Sequence, residues 1–397
     1  MQVNFSALSH ASVLGSTPIH ISSHPFAQTI AFAMPLNAQS IRSHHKALLQ
    51  ESLRAFPQPG RSSPSSFDPC KLTRLFSSEL CEGDVFAAQL RLSSFAEKLG
   101  LPSPLIYSRE LSTLVGEGKK VYLKLEHMRP THSFKIRGAL NAILANEERG
   151  KSFDQVVAAS QGNHAQGVAW ASELTDKKAL IFMPENADPI KIKQTQGFGA
   201  KVELTGYSLD EAIKTAKAYA QEKGALWLHP YDDQDVIAGQ GTVGLEIINH
   251  NENIDTIIVP TGGGGLLSGI TLACPQQKVI GVQLEAMPSM TKSLANHQLE
   301  PVSHQNTIAG GIAVGTVGSL GLEICEEAGT QMHLVSEQEI QSALCFMLSE
   351  VGLKIEGSAV VPVIPLLRNE VIPGDNIVLV ISGSNISMDK FAHCLRV

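Results

Sequence analysis

Short apolar runs alternate with segments of helical spacing along most of this chain. That alternation limits the fold more than any other feature. Val121–Leu125, Val156–Ala159, Ala179–Met183, Lys201–Leu204, Ala225–His229, Thr256–Val259, Lys278–Leu284 and Asn376–Ile381 read as strands. Between them lie helix signals. Ser133 is placed to cap a helix through Asn146, Ser208-x-x-Glu211 opens one that stops near Gly224, and Ser336-x-x-Glu339 opens another. Continuous apolar strands separated by helices predict an α/β fold whose parallel-rich sheets are flanked by helices on both faces.

The chain has 397 residues with formal net charge -7, which disfavours nucleic acid as a partner. No uninterrupted apolar run approaches the length of a membrane span, so no membrane partner is expected. The six cysteines, Cys70, Cys81, Cys274, Cys325, Cys345 and Cys394, form no C-x-x-C, which favours a reducing compartment over a disulfide framework. Residues 1–50 hold no Asp or Glu and only Arg42 and Lys46 as Lys or Arg. They read as a partly disordered extension, with organelle targeting as an alternative to a cytoplasmic location. Phe56–Pro69 is dense in Pro and Ser and reads as a linker.

Two segments carry chemistry. Thr256-Ile-Ile-Val-Pro-Thr-Gly-Gly-Gly-Gly-Leu-Leu-Ser-Gly269 runs a strand through four glycines into a helix. Backbone N–H groups meet there without Cβ obstruction, at a positive helix terminus, which suits a phosphate dianion. A plain flexible turn also fits the run. A dinucleotide loop fits less well, because the spacing is not G-x-G-x-x-G. In Pro130-Thr-His-Ser-Phe-Lys-Ile-Arg-Gly-Ala-Leu-Asn141, Lys135 lies just past the expected N-cap among apolar neighbours. Desolvation and the helix dipole both favour a neutral amine able to condense with an aldehyde. An ordinary surface lysine is the competing reading.

Ser-Phe-Lys-Ile-Arg-Gly-Ala-Leu-Asn-Ala142 resembles the cofactor-lysine motif of fold-type II pyridoxal 5'-phosphate (PLP) enzymes, in the group of serine/threonine dehydratases (threonine ammonia-lyases) and serine racemases. Five further segments match in chain order: Ser103-Pro-Leu105, Ser160-Gln-Gly-Asn-His-Ala-Gln-Gly167, Ile237-Ala-Gly-Gln-Gly-Thr242, the tetraglycine loop and Ser382-Gly-Ser-Asn385. The likeness spans roughly residues 90–395. It implies a two-domain, tryptophan synthase beta-like body: residues 81–160 and 232–397 as the large catalytic domain, 161–231 as a small inserted domain, and 1–80 as extension and linker.

The same resemblance implies the roles. Lys135 holds PLP as a Schiff base and moves the Cα proton. Phe134 packs on the cofactor ring. Gly262, Gly263, Gly264 and Gly265 bind the phosphate. Asn163 reaches the ring hydroxyl, Ser382 the pyridine nitrogen, and Glu356 the far side of the ring. Ser160, Asn163 and His164 bind the carboxylate of a small amino-acid substrate. The implied reaction is β-elimination and deamination of L-threonine or L-serine to 2-oxobutanoate or pyruvate, by a homodimer.

Three positions depart from the pattern. Gln161 stands where racemases have a serine that serves as second acid/base, and Gly310 stands where an Asp is common. Glu285 is the candidate ligand for a divalent or monovalent cation, but Thr291 replaces the usual second carboxylate. Gln161 and Gly310 keep open a dehydratase for another hydroxy-amino acid, such as 3-hydroxyaspartate. A non-catalytic PLP-binding regulatory protein is the third reading.

Overall fold

The structure, a computed structural model, describes residues 80–395. The N-terminal extension and linker, with Cys70, lie outside the described residues.

Among the described residues, ten strands form two sheets. β1 (Leu105–Ser108), β2 (Lys120–Leu125), β7 (Thr256–Pro260), β8 (Lys278–Leu284), β9 (Gln331–Val335) and β10 (Asn376–Ile381) make a six-stranded sheet in the order β1-β2-β10-β7-β8-β9. β3 (Gln155–Ala159), β4 (Lys178–Met183), β5 (Lys201–Leu204) and β6 (Leu226–Trp227) make a four-stranded sheet in the order β5-β4-β3-β6. All pairs are parallel except β1 with β2. β7 is buried along its whole length, as a strand covered on both faces must be.

The edge strands β1 and β9 were not among the expected ones. Their burial is mixed rather than continuous, so they lack the apolar run that marks a central strand. β6 is shorter than expected, ending at Trp227, because the chain then leaves the sheet at His229. β3, which ends just before residue 161, pairs with β4 and β6 in the small sheet.

The helix signals hold in part. Ser336 and Glu339 form the reciprocal capping box. Ser208 caps its helix through Glu211 N, while the Glu211 carboxylate turns to Tyr207 N instead. That helix ends at Gly224, in the left-handed conformation. The Lys135–Glu148 helix differs. Phe134 occupies its cap position, and no side chain caps it. Ser133 pairs instead with Gly383 as an isolated antiparallel bridge, and its hydroxyl is buried without a partner.

Beneath that helix lies a buried ionic cluster. Arg137 is 0% exposed and donates to Glu126 Oε2 at 2.8 Å and Glu246 Oε2 at 2.7 Å. Lys124 Nζ donates to Glu246 Oε2 at 2.7 Å, and Arg129 Nε to Glu126 Oε2 at 3.2 Å. The Ser103 hydroxyl also donates to Glu126. Three cations thus share two carboxylates, and every charged group in the cluster is hydrogen-bonded, as burial demands.

Candidate active site

β2, β7 and β10 run parallel, so their carboxyl ends share one edge of the large sheet. Ligands of open α/β sheets bind outside such ends. The glycine loop follows β7 and Ser382 follows β10. Residues 132–134 run alongside 382–384: Phe134 N donates to Ser382 O at 3.2 Å, and Ser384 N to His132 O at 3.0 Å. That pairing sets Lys135 beside Ser382. From the small sheet, the Ser160–Gly162 turn after β3 opens the Asn163–Leu174 helix. Gly167 of that helix meets the start of the Lys135 helix, where an added Cβ would stand 3.0 Å from Lys135 C.

Lys135 is half-buried. Its Nζ donates to Pro230 O at 2.8 Å and lies 5.2 Å from the Phe134 ring centroid. Desolvation pushes the amine down to about 8, against the pull of the Glu356 carboxylate. A useful fraction is therefore neutral near physiological pH.

Tyr231, next to Pro230, packs on the glycine loop. A Cβ at Gly263 would stand 2.3 Å from its ring. The amine and the loop are thus joined through two adjacent residues. Gly264 takes φ +99°, a left-handed geometry that suits glycine. Among the described residues, the N–H groups of Gly262, Gly263, Gly264 and Gly265 have no hydrogen-bond acceptor, although Gly263, Gly264 and Gly265 are buried. Buried backbone donors are nearly always paired. Four successive unpaired donors at a helix N-terminus fit a bound phosphate. The Ser382 hydroxyl, also unpartnered among the described residues, is available to a ring nitrogen.

Glu356 and Asn163 meet directly. Asn163 Nδ2 donates to Glu356 Oε1 at 2.7 Å, and Asn385 Nδ2 donates to Asn163 Oδ1 at 2.7 Å and to Thr131 O at 2.9 Å. Burial pushes Glu356 up to about 7, although the Asn163 bond and the Lys191 and Lys135 charges oppose it. These residues, with Lys135, could hold PLP.

Other expected residues are placed differently. His164 turns inward, with Nε2 at 3.2 Å from Leu228 O and Nδ1 buried without a partner. Desolvation pushes it down to about 3, so it is neutral. Its backbone N–H lies at the start of the Asn163–Leu174 helix. The Ser160 hydroxyl accepts from Gly162 N at 3.2 Å, shaping its own turn. Glu285 is an exposed single carboxylate after β8. No group of three His, Cys, Asp or Glu able to hold a metal occurs among the described residues. Pro230, Tyr231 and Asn385 were not singled out from sequence. Asn385 ends a matched motif, which was the available signal. Pro230 and Tyr231 had none.

Residues 97–383 match the family model described as pyridoxal-phosphate dependent enzyme. The chain is 42% identical over 319 residues to an L-threonine ammonia-lyase of Thermotoga maritima, covering 79% of this chain and 77% of that one. Its fold resembles maize serine racemase with TM-score 0.73 and 27% identity, over 79% of this chain and 96% of that one. It also resembles the processed form of threonine deaminase isoform 2 from Solanum lycopersicum with TM-score 0.71 and 31% identity, over 85% of this chain and 97% of that one. The architecture is that of the fold-type II enzymes. A lysine amine and a cradle of unpaired amides, on a scaffold shared with these proteins, carry one conclusion: the chain belongs to the pyridoxal-phosphate dependent enzymes.

Proposed function

We propose that this chain eliminates water from L-threonine, and from L-serine, to an enamine that takes one water back on hydrolysis, so that the net products are ammonia with 2-oxobutanoate or pyruvate. One observation carries the reading: a partly neutral, half-buried Lys135 amine is joined through Pro230 and Tyr231 to a turn of unpaired glycine N–H groups. The 42% identity to an L-threonine ammonia-lyase supports the choice of substrate class.

PLP, when bound, supplies the electron sink for charge that develops at the substrate Cα. The chain does the rest. Lys135 takes the Cα proton as a base whose pKa lies close to working pH. The Gly262–Gly265 amides would hold the phosphate. Ser382 would offer the ring nitrogen a hydroxyl rather than a carboxylate, which would limit how far that nitrogen is protonated. Asn163 and Glu356, hydrogen-bonded to each other, would flank the ring. The N–H groups at the start of the Asn163 helix receive the substrate carboxylate.

A racemase reading is weaker. Racemisation needs a second proton carrier on the opposite face of Cα, and the Gln161 amide does not titrate. Gly310 is exposed, and a Cβ added there meets nothing within 4 Å, so it places no side chain against a substrate. A hydroxy-amino acid with a second carboxylate is the alternative substrate that these positions keep open. Two further parts of the reading rest on tendency. A homodimer is the commonest oligomer. The free buried thiols of Cys274, Cys325 and Cys394 suit a reducing, cytoplasmic setting. No helix among the described residues is long and apolar enough to cross a membrane.

The test is an oxoacid assay on PLP-loaded protein with L-threonine, L-serine, D-serine and 3-hydroxyaspartate. Threonine should yield 2-oxobutanoate and ammonia in equal amounts. Lys135→Ala should lower the rate by at least about 10³-fold, the order expected when a general base is lost. A PLP-loaded protein inert to every hydroxy-amino acid would leave only the regulatory reading.

A further inference from the structure

The four residues His229–Asp232 cross from β6 to the Gln234–His250 helix and touch both the Lys135 amine and the glycine loop. Pro230 O accepts from Lys135 Nζ at 2.8 Å. The Tyr231 ring lies against Gly263, and its backbone against Gly265, where an added Cβ would stand 2.9 Å from Tyr231 O. Tyr231 Oη donates to Thr316 O at 2.9 Å. Asp232 accepts from Leu320 N at 3.1 Å. The turn is shaped from within: His229 Nδ1 accepts from Asp232 N at 2.8 Å, and the His229 ring meets the Tyr231 ring edge-on at 4.7 Å. Burial keeps His229 neutral, at about 4, so Nδ1 remains an acceptor.

A run of four glycines has the greatest backbone freedom of any tetrapeptide. Left alone, it would have to be ordered when phosphate binds, and that cost would be subtracted from affinity. The Tyr231 ring supplies the wall that side chains on the loop would otherwise provide.

We propose that Tyr231 is a positioning residue for the reaction: its ring holds the glycine loop in its anion-ready form while the adjoining Pro230 carbonyl holds the Lys135 amine, so that one short segment sets the separation of the two ends of the cofactor site. This rests on the reading of Lys135 and the loop as a PLP site. It adds that the absence of a side chain at Gly263 serves the tyrosine as much as the phosphate.

The experiment titrates PLP into cofactor-free full-length protein, followed by tryptophan fluorescence. Trp227, one of two tryptophans in the chain, lies 6.4 Å from His229, ring to ring. Wild-type binding tests the underlying reading; if wild type takes up no PLP, that reading fails. The variants test the proposal. Tyr231→Ala should raise the Kd for PLP about tenfold, equivalent to roughly 1.4 kcal/mol, with a smaller effect on kcat at saturating PLP. Tyr231→Phe should recover most of that loss. Gly263→Ala should bind PLP poorly, because its Cβ meets the ring. The Gly263→Ala, Tyr231→Ala double variant should then bind better than the sum of the two single losses. Gly265→Ala should gain nothing from Tyr231→Ala, since its Cβ meets the Tyr231 backbone. Tyr231→Leu gives the same comparison if circular dichroism shows Tyr231→Ala to be unfolded. Wild-type affinity in Tyr231→Ala and Tyr231→Leu, or strict additivity at Gly263, overturns the proposal.

Discussion

Lys135 sits between two influences of opposite sign. Desolvation pushes its amine down to about 8, and the Glu356 carboxylate pulls it back up. Only the neutral amine attacks an aldehyde, so the rate of PLP uptake should rise as pH passes through about 8. Glu356→Gln removes the opposing charge, and the rise should then move to lower pH. Stopped-flow absorbance on cofactor-free protein between pH 6 and pH 10 checks this; an unmoved profile would separate Glu356 from the amine. At this scale the sequence was informative about identity and weak about direction. Lys135 and the four glycines were singled out because a helix start and a strand–glycine–helix loop are local patterns. Ser133 was misjudged as a cap because its backbone is engaged by Gly383, 250 residues away in the chain. His164 was expected at a substrate carboxylate, and its ring turns to Leu228 O, a choice made by packing.

The Lys135–Glu148 helix is held from below by charge. Burial alone would raise Glu126, but the charges of Arg129 and Arg137 hold it well below its ordinary 4.5. Glu246 is likewise lowered by Arg137 against its burial. A carboxylate with a depressed folded pKa contributes stability in full above its unfolded value, and loses it as pH falls through the folded one. Arg137→Met would leave both carboxylates short of a partner. It should cost about 3–5 kcal/mol and move the acid-unfolding midpoint to higher pH, read by circular dichroism against pH and urea. A midpoint unchanged in both titrations would remove the cluster from any role in stability. None of this cluster was legible beforehand, because Lys124, Glu126, Arg129, Arg137 and Glu246 meet only in space. The central strands were legible as apolar runs. The edges β1 and β9 were not, since pairing with a neighbour, rather than burial on both faces, holds them.

The two sheets meet at Asn163. Its side chain donates to Glu356 and accepts from Asn385, both near the carboxyl end of the large sheet. Asn163→Ala should lower stability by about 1.5–3 kcal/mol, as for a hydrogen bond to a charged group. The loss should shrink below pH 7, where Glu356 takes up a proton in the folded state. Urea unfolding at pH 6 and pH 8 measures both; an equal loss at the two values would contradict the pairing with an ionised Glu356. The amino-acid sequence by itself determined the parallel-rich α/β class, because short apolar runs between helical segments dictate local geometry, and it singled out Lys135 and the glycine loop as candidates through contiguous motifs and the resemblance they carry. The tertiary structure alone decided that β3 belongs to the small sheet, that the Tyr231 ring lies against Gly263, and that Asn385 donates to Asn163. Those outcomes depend on contacts between residues far apart in the chain, and no local pattern encodes which distant side chain will fill a given space.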